Sequence, residues 1–109
     1  MSIKSFAAKI FAKVVHNKTQ AWANNPVETQ QKVFQDLINQ AKDTVFGKDH
    51  HFEKIKTFED FAHQVPIRDY EELRPYIDRV VKGEENILWK GKPIYFAKTS
   101  GTTSGAKYI

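Results

Sequence analysis

No cysteine occurs among the 109 residues of this chain. A disulfide framework and a thiolate-bound zinc site are thereby excluded, while the redox compartment stays open, with the cytoplasm as the expectation. Long apolar runs are missing as well: no stretch approaches the roughly 20 residues that a membrane-spanning helix needs. Nor is there an internal repeat or a low-complexity tract, so solenoid and linker-like architectures drop out. Acidic residues are absent before Glu28 and arginine before Arg68, which leaves the N-terminal stretch charged by lysine alone. Lysine without arginine is a poor match to a transit peptide. What remains is 40% hydrophobic and 13% aromatic, enough for a packed core and too much for a disordered chain. The formal net charge of +4 admits a polyanionic partner, and a nucleotide would suit it as well as a nucleic acid.

Helical spacing organises most of the chain. Ile3, Phe6, Ala7, Ile10, Phe11 and Val14 recur on one stripe, which predicts an amphipathic helix from Ser2 to about Asn17. Lys4, Lys9, Lys13 and Lys18 decorate its polar side, a composition shared with membrane-surface helices, although a docked helix with a solvated basic face is the simpler reading. Asn25-Pro26-Val27-Glu28 marks a second start, with Asn25 as N-cap, Pro26 at the first helical position and Glu28 closing a capping box. That helix should run to about Thr44, bury Phe34, Leu37, Ile38, Ala41 and Val45, and end at Gly47. Lys48 to Lys56 then reads as a polar loop anchored by Phe52 and Ile55.

Thr57 and Asp60 form a further capping box ahead of Phe58, Phe61, Ala62 and Val65, and Pro66 stops that helix. Asp69 caps one more turn, through Leu73. Pro75 lacks an N–H and disfavours helical geometry at Arg74, so a break is expected there, followed by a helix from Pro75 to about Lys82 that Gly83 ends. Gly83 to Lys92 is a connection with an apolar patch at Ile87-Leu88-Trp89, and Ile94 to Ala97 is the convincing strand. The fold class expected is α+β, predominantly helical, with a C-terminal strand-loop-strand. Three segments result: helical 1–56, short helices and a connection over 57–93, and strand plus loop over 94–109.

Several residues invite chemistry they need not perform. His50-His51, with Asp49 adjacent and His63 further on, raises a metal site, but adjacent histidines point apart and no pair at i, i+4 accompanies them. Solvated loop histidines are the expectation, with no metal ligand assigned. Glu71, Glu72 and Asp78 are interspersed with Arg68, Arg74 and Arg79, the pattern of a solvated or ion-paired face rather than of a catalytic carboxylate set. Trp89 could stack on a base, yet it precedes the strand, and packing suits it better.

The C-terminal segment is different. Ser100-Gly101-Thr102-Thr103-Ser104-Gly105-Ala106-Lys107 combines two glycines, four hydroxyls and a lysine. Glycines permit positive φ and close backbone approach, so that N–H groups can converge on one anion, while the hydroxyls add donors and Lys107 a point charge. A polar turn between strands seldom needs so many hydroxyls in a row. The spacing is not that of a Walker A loop. Three residues separate the glycines, Ala106 intervenes before Lys107, and Tyr108 follows where that motif carries its magnesium-binding Ser or Thr.

This segment resembles the phosphate-binding signature S-G-T-T-G-x-P-K of the acyl-adenylate-forming superfamily. The second glycine falls one place late and Ala106 replaces the proline, and the extra residue before that glycine is the habit of one branch, the acyl-acid amido synthetases first described as auxin-responsive promoter proteins. Val65-Pro66-Ile67-Arg68-Asp69-Tyr70-Glu71-Glu72-Leu73-Arg74-Pro75-Tyr76-Ile77-Asp78-Arg79-Val80 is similar to the segment these enzymes carry upstream of the loop. Gly91-Lys92-Pro93-Ile94 leads into the loop as it does there.

The resemblance covers Thr57 to Ile109 and implies ATP, with Mg²⁺, as cofactor. Ser100, Gly101, Thr102, Thr103, Ser104, Gly105 and Lys107 would hold the β- and γ-phosphates, and no catalytic nucleophile is assigned. It further implies activation of a small-molecule carboxylic acid as an acyl-adenylate and transfer to an amine, with a thiol acceptor, as in aryl-CoA ligases, as the rival. On this reading the chain is an N-terminal part of the large α/β domain of such an enzyme and inactive alone. A strand that has barely begun at Tyr108-Ile109 agrees with that expectation. Two other classes compete. A nucleic-acid binder would need aromatics among the lysines, but Phe6 and Phe11 sit on the stripe that the lysines avoid. A helical interaction module accounts for the helices and leaves the hydroxyl-rich loop unexplained.

Overall fold

A computed structural model describes residues 2–101 and 105–109. Among them the chain is predominantly helical, with no named strand, and it divides into two compact units, Met1–Gln35 and Asp36–Ile109.

In the first unit, helix α1 (Ile3–Asn24) starts at Ser2, whose hydroxyl accepts the Ser5 N–H at 3.2 Å. It runs seven residues past the expected Asn17, because neither glycine nor proline interrupts the sequence before Pro26. None of its residues is buried, and Ile3, Phe6, Ile10, Phe11 and Val14 are all exposed. Asn25 ends it. Pro26 keeps the residue before it out of helical geometry, the Asn25 N–H returns to the Trp22 carbonyl at 3.3 Å, and its side-chain amide donates to Ala21. The side chain assigned to capping the following helix is thus turned back on α1. Helix α2 (Pro26–Ala41) begins with the Thr29 N–H on the Asn25 carbonyl at 3.0 Å.

In the second unit the end of α2 buries Ile38 and Ala41, whereas Leu37, expected inside, is about half exposed. Thr44 divides α2 from α3 (Val45–Asp49). Its hydroxyl donates to the Ala41 carbonyl at 2.6 Å and accepts the Gly47 N–H at 2.9 Å, so one buried oxygen closes the first helix and opens the next. Gly47 does not terminate a helix, as its type suggested; it lies inside α3, where a Cβ would run into the Ala41 carbonyl. The remaining free donors of α3, the Val45 and Phe46 N–H groups, bond to the Asn86 and Ile87 carbonyls at 2.9 Å each. Residues 86 and 87 are clamped to α3 by those bonds, and Ile87 is buried.

Phe52 and Ile55 are buried as expected, but the segment that carries them contains a 3₁₀ turn (Phe52–Lys54) rather than an open loop. Helix α4 (Phe58–Gln64) has the full capping box: Asp60 N–H to the Thr57 hydroxyl at 3.2 Å, and Thr57 N–H to the Asp60 carboxylate at 3.0 Å.

Helix α5 (Tyr70–Val81) corrects the expected break, since it runs unbroken through Pro75. Proline removes one N–H, the donor that would have reached the Glu71 carbonyl, so in the second turn the loss is a single rung. Both ends compensate. Asp69 and Glu72 exchange hydrogen bonds of 2.9 Å with each other's backbone N–H. At the far end Gly83 adopts φ +95°, its N–H reaching Val80 at 3.0 Å while that of Glu84 reaches Arg79 at 3.1 Å, the paired bonds of a Schellman motif. On the solvent side Glu71 pairs with Arg74 and Glu84 with Arg79, and the Arg79 guanidinium holds the Glu84 carboxyl below its ordinary range.

Candidate functional site

The C-terminal loop grows from two short arms. The N–H and carbonyl of Ala97 pair with the carbonyl and N–H of Ile109 at 3.1 and 2.8 Å, and Lys98 bridges Tyr108 in antiparallel sense. At the next position the Thr99 N–H donates to the Lys107 carbonyl at 2.8 Å, but the Lys107 N–H bonds to the Thr99 hydroxyl, at 2.9 Å, instead of to its carbonyl. The ladder stops there because a side chain has taken the backbone's place. The expected strand-loop-strand is therefore reduced, among the described residues, to one bridge. Ile94 and Tyr95, expected within a strand, are 84% and 88% exposed, and the pairing present among the described residues begins at Ala97.

Of the candidate phosphate ligands, Ser100, Gly101, Gly105 and Lys107 are described; Thr102, Thr103 and Ser104 lie outside the described residues. Gly101 takes φ +74°, and a Cβ there would stand 2.7 Å from the Ala106 nitrogen and 2.8 Å from the Gly105 carbonyl carbon. The loop folds back on itself so closely at its base that only glycine fits. Gly105 also has positive φ, at +85°, but with open space around it. Residues 97–109 contain no carboxylate, so nothing in the loop's own sequence opposes an anion.

Lys107 is fixed on several sides. Besides the Thr99 contacts to its backbone, its ammonium lies 5.4 Å from the centroid of the Tyr70 ring, and the Tyr70 hydroxyl accepts the Tyr108 N–H at 3.0 Å. Tyr108 is held in turn by Phe96, ring to edge at 5.9 Å, and by Lys98 over its face at 5.8 Å. Tyr70 is the first residue of α5, so the helix that begins at the Asp69 box carries the loop's lysine arm.

Helix α5 is itself anchored to α3. Phe46 stacks on His50 at 4.0 Å and meets Tyr76 edge-on at 5.1 Å, and the Tyr76 hydroxyl donates to Asp49 at 2.7 Å. Burial, then the bond to Asp49 and its charge, push the Tyr76 phenol above its ordinary value. His50 is 4% exposed, which corrects the expectation of a solvated loop histidine. One ring nitrogen, Nδ1, lies 2.7 Å from the Phe46 carbonyl and the other, Nε2, 2.8 Å from the Arg68 guanidinium. A carbonyl can only accept and a guanidinium can only donate, so the pairing is met by the tautomer that carries its proton on Nδ1. Its neighbour His51 sits in the left-handed region at φ +54° and faces Glu53 at 3.4 Å. The sequence offered no signal that separated the two histidines, nor that Arg68 belongs to His50 rather than to the charged face of α5.

A groove of about 570 Å³ opens beside the arms, walled by Ile77 and Val80 of α5, Leu88, Trp89, Phe96 and Tyr108. Trp89 stands on its wall, 42% exposed. No helix among the described residues is long and apolar enough to cross a membrane.

A capped helix whose first tyrosine meets the lysine arm thus brings together in space the two segments, residues 65–80 and 100–107, that carry the resemblance. The GH3 family N-terminal domain matches residues 15–109, and the chain belongs to that family. Indole-3-acetic acid-amido synthetase GH3.6 of Arabidopsis thaliana is 29% identical over 86 residues, covering 78% of this chain and 14% of that protein. The 4-substituted benzoates-glutamate ligase GH3.12 of the same plant is 44% identical over 48 residues, 43% of this chain and 8% of that protein. A probable indole-3-acetic acid-amido synthetase, GH3.13, of Oryza sativa subsp. japonica is 40% identical over 47 residues, 43% and 10% of the two chains. The alignments span at most 14% of these relatives' length. No solved structure matches the chain.

Proposed function

We propose that the chain contributes the ATP phosphate-binding loop of an acyl-acid amido synthetase within the acyl-adenylate-forming superfamily. The reaction joins a carboxylic acid to the α-phosphate of ATP as an acyl-adenylate, releasing pyrophosphate, and an amine then displaces AMP. The observation that carries this reading is the loop base itself, where Gly101 is pressed against the Ala106 backbone and Lys107 is fixed beside it, within a chain of the GH3 family. Family members named for indole-3-acetic acid and for 4-substituted benzoates with glutamate support a small organic acid as acyl donor and an amino acid as acceptor.

The residues present fit a polyphosphate. The loop's sequence offers hydroxyls, amides made accessible by glycine, and Lys107, with no carboxylate among them, so Mg²⁺ would enter bound to the nucleotide's phosphate oxygens. Ser100, Gly101, Thr102, Thr103, Ser104, Gly105 and Lys107 are the ligands proposed. Their work is electrostatic: fixed donors meet the charge that grows on the departing pyrophosphate, and Lys107 supplies the full positive charge. The alternative thiol acceptor would make the enzyme an acyl-CoA ligase and leaves this loop's role unchanged.

The test is ATP–pyrophosphate exchange by the full-length protein against a panel of carboxylic acids. Exchange that depends on one acid class, with Lys107→Ala reducing the rate by about 10²-fold, as for loss of one transition-state donor, is the expected result. Absence of ATP-dependent exchange with every acid, or full activity in Lys107→Ala, overturns the reading.

A further inference from the structure

The Tyr70 side chain touches the arm that follows the loop by two different means, and neither contact was foreseen from the spacing of residues 37 and 38 positions apart. Its hydroxyl oxygen accepts the Tyr108 N–H at 3.0 Å, and its ring lies under the Lys107 ammonium at 5.4 Å. The backbone of Lys107 is meanwhile fastened on both of its polar atoms by Thr99. The lysine thus has a pinned main chain and a seated head. A flexible four-carbon stem would otherwise sample many rotamers, and each immobilised lysine costs binding energy when a ligand has to order it.

We propose that Tyr70 is a positioning residue for Lys107: its hydroxyl sets the register of the lysine arm and its ring holds the ammonium beside that arm before a phosphate arrives. This rests on the reading of residues 100–107 as an ATP phosphate loop. Tyr70 touches no reacting atom in this scheme and acts through Lys107. The two contacts are separable. Phenylalanine at position 70 keeps the ring and loses the hydrogen bond, while leucine loses both.

The position of Tyr70 supports the role. As first residue of α5 it is placed by the reciprocal Asp69–Glu72 box, and the helix is anchored to α3 through Tyr76 and Asp49, so the ring under the lysine is tied to the helical body. Neither Glu71 nor Glu72 competes for the ammonium, since Glu71 is paired with Arg74 and Glu72 with the Asp69 backbone.

The experiment has two arms on the full-length protein. In the first, which does not depend on catalysis, selectively labelled lysine is followed by proton NMR, Lys107 being assigned by its loss in Lys107→Ala. Ring current from Tyr70 should shift the Lys107 ε-methylene upfield, the shift surviving in Tyr70→Phe and vanishing in Tyr70→Leu. In the second arm ATP affinity is measured by calorimetry. Tyr70→Phe should weaken it by about fivefold, a typical neutral hydrogen bond, and Tyr70→Leu by a further two- to fivefold or so, the worth of an exposed cation–π contact. In a Lys107→Ala background the leucine variant should add nothing beyond the phenylalanine one.

An unshifted ε-methylene in the wild type, or leucine and phenylalanine variants that differ equally with and without Lys107, would overturn the positioning role. Should Tyr70→Leu fail to fold, the ε-methylene of wild type and Tyr70→Phe still decides it. The functional reading fails separately: if Lys107→Ala binds ATP as tightly as wild type, the loop is not a phosphate site, whatever the NMR signal shows.

Discussion

Replacing Thr44 by valine removes one oxygen and almost no volume, and the structure says what that oxygen does. Thr44 is 1% exposed, and its hydroxyl both donates to Ala41 and accepts from the Gly47 N–H. After the substitution Ala41 keeps a partner, because the Thr44 backbone N–H also reaches its carbonyl at 3.0 Å. Gly47 does not. Gly47 is buried, and the neighbouring carbonyls of Asn86 and Ile87 already accept from Val45 and Phe46. A buried donor left unsatisfied costs about 1–3 kcal/mol, and the loss of a Thr N-cap about 0.5–2 kcal/mol, which is the same deficit viewed from the helix. We therefore expect a loss of roughly 2 kcal/mol for Thr44→Val, and most of it restored in Thr44→Ser, which keeps the oxygen and sheds a methyl. Urea unfolding read at two probes checks this, with the midpoint falling and the slope unchanged. If valine is as stable as threonine, or serine as damaging as valine, the double-cap argument is wrong.

Gly101→Ala should lower ATP affinity at least about tenfold, since a left-handed residue with a Cβ costs about 1–2 kcal/mol before any collision and the added atom meets the Ala106 backbone; an alanine variant that binds ATP normally would refute the close-approach reading. At the start of α4 the Lys56 and Thr57 N–H groups hold the Asp60 carboxyl below its ordinary value. A lowered folded value means that the carboxylate stabilises the fold fully above the unfolded value of about 3.9 and loses that contribution as pH falls through the folded one. The difference in melting temperature between wild type and Asp60→Asn should accordingly be present at neutral pH and shrink below about pH 4, and a difference that is independent of pH would contradict it.

How far the sequence carries depends on whether a signal is local. The Thr57–Asp60 box was readable because all its atoms lie within four residues, and Pro66 after it is unambiguous. Pro75 misled because the two ends, though read, were given to separate helices: a box at Asp69 and Glu72 and a Schellman turn at Gly83 close one helix that can spare one rung. Gly47 looked like a helix end, yet its glycine is required by a carbonyl arriving from α2, which no inspection of neighbours in sequence reveals. His50 and His51 are chemically identical in the sequence and opposite in the structure, one sealed between Phe46 and Arg68 and the other exposed in a left-handed turn. The loop's residue types were legible from composition alone. Its attachment was not, because the ladder expected on either side of it gives way to Thr99 and Tyr70.

Among the described residues the arms share one bridge, and the lysine arm also meets the helical body through a contact between residues 38 positions apart, Tyr108 to Tyr70. Closing so long a segment carries an entropy cost that rises only slowly with length, and the intervening chain is already ordered by the Asn86–Gly91 turn, whose backbone and side-chain bonds measure 2.9 and 2.7 Å, and by the clamp of residues 86 and 87 on α3. Order therefore passes from the Thr44 cap to α3, from α3 through Asp49 and Tyr76 to α5, and from Tyr70 to Lys107. A defect at the start of that path should reach the lysine without touching the loop, so that Thr44→Val, assayed where the protein is still fully folded, weakens ATP binding only through the fraction of molecules in which α3 has come loose. The smaller that fraction, the closer its ATP affinity should stay to wild type, in contrast to Tyr70→Leu, whose effect persists however stable the fold.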